Sequence, residues 1–484
     1  MNAKSLARMG IPAALVARAG WMIGEAHRAG RTAADTQRVV TGIIAAPEAF
    51  LDDPHFGALA AALRDHRATE AAGLAAVRPR DEPLPWRQWG TGLEPDAVGQ
   101  MGAAMRLPVA VAGALMADAH VGYGLPIGGV LATAGAVIPY AVGVDIACRM
   151  KLSVLDLPPE WLDTKADRLT RALEAETRFG VGAEFGKRGD PSRTRPREHP
   201  VLDDDWSVSP VTHKHRDRAR VQLGTSGSGN HFVEFGTFTV AADEAARLGL
   251  AGGGTFLALL SHSGSRGTGA AVCNHYSRLA MDRCRDLPGA MRHLAWLALD
   301  SDAGGEYWAA MNLMGRYAAA NHACIHRHVV AHLGAEVLLD VENHHNFAWE
   351  EEHEIDGTRR RVIVHRKGAT PAGEGVLGII PGSMAAPGFL VRGRGVAGAL
   401  HSASHGAGRR MSRTKARETY RWKEIRPLLE ERGVRLISAG IDEVPHAYKD
   451  IHAVMAAQAD LVETVARFDP RLVKMAPEGE KPED

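Results

Sequence analysis

Asp145 and Cys148 lie three residues apart in GVDIACR, Gly143–Arg149, and the chain later offers GNH at Gly229–His231, HSGSR at His262–Arg266, HHN at His344–Asn346 and SHGAGR at Ser404–Arg409. A carboxylate, a potential thiolate and several glycine-flanked imidazoles are donors that suit a divalent ion such as Mn²⁺ or Zn²⁺, and a deprotonated thiolate can bridge two ions. Taken alone, Asp145 and Cys148 read equally well as a turn cap and a small buried residue, since free cysteine is among the most buried types. The histidine loops downstream shift the reading to a metal-centred active site.

Glycines surround the polar residues in DAHVGYGLPIGG at Asp118–Gly129, LGTSGSGNHF at Leu223–Phe232, HSGSRG at His262–Gly267, PGSM at Pro381–Met384 and SHGAGR at Ser404–Arg409. Such loops let backbone amides approach a ligand and form anion-binding hollows, to which Arg266 or Arg409 adds a charge-assisted contact to phosphate. Asp118 and His120 open one of these loops and divide between loop-shaping hydrogen bonds and substrate contact. His322 and His326 sit one helical turn apart in a segment that also holds Cys324, His328 and His332. A metal pair is possible there, but an alanine-rich helix with polar faces accounts for the pattern without one. The acidic run Glu350–Glu354 reads as an exposed hairpin edge.

The elements that must position these loops have an α+β order, with no regular strand–helix alternation and no internal repeat. Residues 1–100 read as a helical extension: Ala13–His27 and Ala34–Arg67 carry apolar residues at three- and four-residue spacing, with Pro47 and Pro54 interrupting the second. The stretch Arg78–Pro95, with Trp86 and Trp89 among prolines, reads as a linker into a domain over 101–484. Strands are expected at Val109–Ala114, Gly128–Thr133, Met150–Val154, His231–Phe235, Thr255–Ser261, Glu336–Val341, Arg361–His365 and Val376–Ile380. Helices are expected at Pro159–Thr177, Ala241–Leu248, Gly269–Cys284, Gly305–Leu333 and Thr414–Arg432.

The chain has 484 residues, 45% hydrophobic and 24% charged, and its 57 basic residues offset 57 acidic ones. A nucleic-acid partner must therefore be met by a local patch, for which Lys187–Arg220, Arg359–Lys367 and Arg409–Arg421 are candidates; a solvated face is the commoner fate of such runs. Four cysteines, Cys148, Cys273, Cys284 and Cys324, form no CxxC pair and fit a reduced, cytoplasmic protein. No signal-peptide pattern and no apolar run of the roughly 18–20 residues needed by a membrane helix is seen, so no membrane partner is expected.

The order DAHVGYGLPIGG, GVDIAC, GTSGSGNHFVE, HSGSRG, HHN, HRKGAT, PGSM, SHGAGR and a terminal Lys474 resembles the RtcB family of GTP-dependent tRNA-splicing and RNA-repair ligases, from about Pro108 to Lys474. The resemblance implies one large catalytic domain with a central mixed or antiparallel sheet and glycine-rich active-site loops. It implies two Mn²⁺ ions, one held by Asp145, Cys148 and His231, the other by Cys148, His262 and His345, with Cys148 as the bridge. It implies GTP as cofactor and His405 as the nucleophile that becomes guanylylated. The family's guanylate-binding segments fall on Asn230, His231, Phe232, Val233, Glu234, His345, Asn346, Pro381, Gly382, Ser383, Met384, His405, Gly406, Ala407, Gly408 and Lys474, with Tyr448 as a base-stacking contact. Glu234 suits the N1–H and N2–H edge of guanine, and Lys474 suits an acceptor. The implied substrate is RNA with 3′-phosphate or 2′,3′-cyclic phosphate ends and 5′-hydroxyl ends, acted on by a monomer with an archease-like activator.

Three departures stand against that pattern. Arg149 follows Cys148 where the family commonly has glycine, which places a cation where it contacts substrate phosphate or restricts the site. Gly388 replaces a small polar residue, removing one guanylate hydrogen bond, and VKMA at Val473–Ala476 replaces VKG. The competing reading is a dimetal RNA-end phosphodiesterase or cyclic phosphatase that does not ligate; it predicts no covalent GMP.

Overall fold

The helical unit Met1–Arg78 and the large unit Pro79–Asp484 are separately compact. The computed structural model describes residues 3–186 and 195–482, so the first part of the basic run Lys187–Arg220 lies outside the described residues. In the helical unit, Ala13–Arg28, Ala33–Ala45 and Gly57–Val77 bury Ile23, Val40, Ile43, Phe56, Leu59 and Leu63 against one another. The expected helix over 34–67 is two helices. Thr32 caps the first, its hydroxyl accepting from Asp35 N–H at 3.1 Å, and Pro47 opens a 3₁₀ turn that separates it from the second.

The large unit is built on two sheets. The larger runs Leu377–Ile380, Gly388–Gly393, Val462–Met475, Phe232–Val240, Gly254–Ser263, Arg149–Leu155 and Val337–His344, each antiparallel to its neighbour, with Arg435–Ser438 parallel beside Val462–Met475. The smaller runs Arg87–Gln88, Ala110–His120, Ile127–Thr133, Thr358–Lys367 and Asn346–Ile355. The 32-residue helix Asp302–Leu333 covers one face of the larger sheet, where Ile325, Val329 and Leu333 pack on Val233, Phe235, Leu257 and Leu259. Ser301 caps its first turn and Gly334, in the left-handed region at φ 65°, ends it. Among the described residues no helix is long and apolar enough to cross a membrane.

Several elements differ from their sequence signals for physical reasons. The strand expected to stop at Ala114 continues to His120, because Leu115–Ala119 are buried in the smaller sheet. The 14-residue strand Val462–Met475 carries Pro470 at a register shift, where a missing N–H is tolerated. The helix Pro210–Gln222 has almost no apolar stripe and is set by Ser209, whose hydroxyl accepts from Val211 and Thr212 N–H. The segment 414–432 breaks at Tyr420, and Glu424 caps the second helix by accepting from Arg421 N–H at 3.1 Å. The acidic run lies on the outer strand Asn346–Ile355, paired across an Asp356–Gly357 turn with the basic strand Thr358–Lys367. Arg361 meets Glu350 at 2.7 Å and Arg359 meets Glu352, so much of that basic patch is neutralised in place.

Candidate metal centre and active-site cavity

Four neighbouring strands of the larger sheet end at the same edge. Cys148 immediately precedes Arg149–Leu155, His231 precedes Phe232–Val240, His262 is the penultimate residue of Gly254–Ser263, and His345 follows Val337–His344. His345 is also the corner at which the chain passes into the smaller sheet through Asn346. Strand pairing sets Met150 and Phe232 on either side of His262, so the convergence follows from register. The Asp145–Cys148 turn is held by Ala147, a non-glycine residue at φ 57° whose N–H donates to Asn346 O at 2.6 Å. Gly264 leaves the space that Asp145 fills: a Cβ there would stand 2.0 Å from Asp145 Oδ2.

The donor atoms are close. Cys148 Sγ lies 3.4 Å from His231 Nε2 and 3.1 Å from His262 Nε2; His262 Nε2 lies 3.2 Å from His345 Nε2, and His231 Nε2 lies 3.2 Å from Asp145 Oδ2. His231 Nδ1 donates to Ser226 O at 2.9 Å and His262 Nδ1 to Asn230 O at 3.1 Å, which leaves both Nε2 lone pairs turned inward. Burial pushes the His262 imidazole down to about 3, with the neighbouring His231 adding to the effect, and His345 is driven well below the usual histidine range by burial and then by His405. His262 thus offers its Nε2 lone pair to the cluster, while His345 Nδ1 is buried without a hydrogen-bond partner among the described residues. Asp145 Oδ1 accepts from Ser265 N–H at 2.9 Å, while buried Oδ2 has no hydrogen-bond donor. Contacts of 3.1–3.4 Å between donor atoms are the edge lengths expected about an ion roughly 2.0–2.3 Å from each ligand. The residues therefore fit a divalent metal, with Cys148, His231 and His262 forming the tightest group.

His405 follows the short strand Ser402–Ser404, and its ring stands 4.9 Å from that of His345. Its Nδ1 meets Asp118 Oδ2 at 2.7 Å, and the same oxygen accepts from His405 N–H at 3.1 Å and Gly406 N–H at 3.3 Å. Burial works against the Asp118 carboxylate, yet the adjacent His405 charge and hydrogen bond hold it below the usual range. An ionised carboxylate only accepts, so Nδ1 carries a proton towards Asp118, and in the neutral ring the lone pair is on Nε2. Gly408, at φ 70°, is needed for this approach because a Cβ would come within 2.1 Å of Asp118 O. Asp118 thus makes the loop-shaping hydrogen bonds that were one of the two sequence readings, and it pairs with the His405 ring as well. The signal that could have found it is an acidic residue at the inward parity of a long buried strand.

A cavity of about 500 Å³ joins this histidine to the candidate metal ligands. Asp145, Cys148, His231, His262, His345 and His405 line it, as do Asn230, Phe232, Glu234, Asn346, Pro381, Gly382, Ser383, Met384, Gly406, Ala407, Gly408 and Tyr448. Burial raises the Glu234 carboxyl well above its usual range. Two residues of the implied guanylate set are not brought there. Val233 lies on the opposite face of its strand from Phe232 and Glu234, packed beneath the long helix. Lys474 is likewise reversed: Val473 and Met475 face the cavity, while Lys474 Nζ donates to Leu173 O at 3.1 Å and stands 5.6 Å from the Phe179 ring centre. Side chains alternate along a strand, so one position decides the face.

Alternation also resolves Arg149. Cys148 points to the metal side and Arg149 to the helix side, where it donates to Glu342 at 3.0 Å and to Gly315 O at 3.1 Å. It neither contacts the cavity nor narrows it. Gly388 does line the cavity, with space for a Cβ only 3.3 Å from Pro381 Cα. His322 and His326 are engaged by Ser261, at 2.8 and 2.9 Å, and take no part in the metal group found among the described residues. His120 donates to Asp118 O at 3.1 Å, and burial lowers it to about 4. Beside Tyr448, Arg409, Arg413 and Arg417 pair with Asp442 and Glu443, acidic partners that sequence reasoning passed over, so these three members of the basic run are neutralised in place.

Known proteins are similar to this chain over most of its length. A family model described as tRNA-splicing ligase RtcB matches residues 100–475, a span that includes Asp118, all five candidate metal ligands and His405. The RNA-splicing ligase RtcB of Escherichia coli (strain K12) is 34% identical over 412 residues, covering 79% of this chain and 95% of that protein. The tRNA-splicing ligase RtcB of Archaeoglobus fulgidus is 33% identical over 450 residues, covering 78% and 90%. With the family model spanning the catalytic cavity and relatives of this identity aligned along nearly their whole length, the chain belongs to the RtcB family.

Proposed function

We propose that this protein is a GTP-dependent RNA ligase that joins 3′-phosphate or 2′,3′-cyclic phosphate ends to 5′-hydroxyl ends. The observation that carries the reading is the Asp118–His405 pair, which orients an imidazole beside a cluster of candidate metal ligands in one cavity. His405 Nε2 attacks the α-phosphorus of GTP, a P–N bond forms and pyrophosphate leaves. Positive charge then develops on the imidazole, and the buried Asp118 carboxylate stabilises it. The RNA 3′-phosphate oxygen takes the guanylyl group as the P–N bond breaks, and the 5′-hydroxyl attacks the activated phosphorus with loss of GMP. A cyclic phosphate enters the sequence after opening by water. Divalent ions bound by Asp145, Cys148, His231, His262 and His345, two Mn²⁺ by family analogy, would neutralise charge on the phosphate oxygens.

Phe232, Glu234, Ser383, Met384 and Tyr448 surround the space proposed for the guanosine. Glu234 is the acidic group suited to the guanine edge, and desolvation makes it a strong hydrogen-bonding partner. Lys474 has no part in this reading. The test is incubation with Mn²⁺ and α-labelled GTP: wild type should acquire acid-labile label and His405→Ala should not. Equal labelling of both proteins refutes nucleotidyl transfer through His405. RNA-end hydrolysis without label would instead support the phosphodiesterase reading.

A further inference from the structure

Tyr140 lines both the active-site cavity and a second depression beside it. Its walls hold Arg278, Arg292 and His293. The His293 ring is bracketed edge-on by two tyrosines, with centres 4.9 Å from Tyr140 and 5.9 Å from Tyr123. Tyr123 is 65% exposed, and its backbone is fixed by Lys367, whose Nζ donates to Tyr123 O at 2.6 Å. Arg278 and Arg292 are both exposed, and neither forms an ion pair among the described residues. This distinguishes them from the arginines at 359, 361, 409 and 413, which have acidic partners.

One exposed and one half-buried tyrosine beside uncommitted guanidinium groups offer the kind of surface that a single nucleic-acid strand requires. Bases stack on rings irrespective of sequence, and arginines neutralise the phosphates. Chain neutrality overall means that such binding must come from a local arrangement of this kind. We infer that this depression holds unpaired nucleotides of the RNA next to the end being joined, with a base stacked on Tyr123 or Tyr140 and phosphates on Arg278 and Arg292. The inference rests on the ligase reading and adds to it a preference for single-stranded over blunt duplex ends.

The test uses the full chain, Arg278→Gln/Arg292→Gln, Tyr123→Ala and Tyr123→Phe. Binding is followed by fluorescence anisotropy with a labelled 12-nucleotide RNA ending in 3′-phosphate, across a salt series, and with a blunt hairpin carrying the same end. Losing two phosphate contacts should reduce the slope of log affinity against log salt by about 1.4, since each contact on a single strand contributes roughly 0.7. Tyr123→Ala should weaken single-strand binding about fivefold or more, and Tyr123→Phe should retain it. Hairpin binding should be unchanged by the arginine substitutions, and GMP labelling of the double variant should equal wild type because neither arginine lines the catalytic cavity. A double variant with wild-type affinity and salt slope, or with equal losses for hairpin and single strand, overturns the inference. A wild-type protein that takes no label overturns the ligase reading by a separate measurement.

Discussion

Asp118→Asn tests the nucleophile's setting most directly. The carboxylate is fully buried and 2.7 Å from His405 Nδ1, so the two full charges attract by about 6 kcal/mol at an effective dielectric of about 20. If about half a charge has developed on the imidazole at the transition state, removing the carboxylate costs roughly 3 kcal/mol, a factor of about 10² in rate. The amide oxygen of asparagine can still accept from the N–H groups of His405 and Gly406, so the loop should stay in place. If its NH₂ group instead faces Nδ1, the proton moves to Nε2 and the nucleophile is capped; loss of the correct tautomer raises the penalty toward about 10⁴. The assay is the single-turnover rate of label transfer from α-labelled GTP to protein, at saturating Mn²⁺ and GTP, with metal content and thermal unfolding measured on the same samples. A slowing of about 10²–10⁴-fold with metal content unchanged is expected. A rate within threefold of wild type would show that Asp118 sets neither the tautomer nor the charge of His405, and the proposed division of labour would fall.

Other substitutions follow from the same geometry. Gly264→Ala places a methyl group 2.0 Å from Asp145 Oδ2, so bound Mn²⁺ measured after dialysis should fall below wild type; unchanged content would show that Asp145 is not a ligand. Lys474→Met should leave GMP labelling within about twofold of wild type, whereas Glu234→Ala should weaken GTP binding by about tenfold, one hydrogen bond from a buried carboxyl being worth up to roughly 1.5 kcal/mol. The opposite ranking would put Lys474 in the nucleotide site. His365 is locked neutral, its Nδ1 donating to Leu131 O at 3.1 Å and its Nε2 accepting from Ile138 N–H at 2.9 Å, and burial lowers it to about 4. Because this folded value lies below the unfolded value of about 6.5, the stability tied to it is complete above pH 6.5 and is lost as pH falls toward 4, at about 1.4 kcal/mol per unit. Urea titrations of His365→Gln over that window should show a pH slope shallower than wild type by about one proton; identical slopes would refute the assignment.

The candidate metal ligands stand where glycine and polar residues interrupt apolar runs, four of them at strand ends and Asp145 in the turn before Cys148. Which segments meet was likewise readable from the motifs, although strand order was not, since pairing depends on contacts remote in sequence. What the motifs could not supply was the face on which a side chain lies. Cys148 and Arg149 are adjacent, yet one meets the metal-ligand cluster and the other the long helix. Phe232 and Glu234 enter the cavity while Val233 leaves it, and Val473 and Met475 enter it while Lys474 leaves. Parity along the last strand is set by the register shift between Pro470 and Leu472 against Phe232–Val240, which local sequence does not encode. Asp118 was obscured for a related reason: glycines after it suggest a loop, but the strand persists to His120 and turns the carboxylate toward His405. A motif thus delivers a segment to the site, and strand register selects which of its side chains can act there.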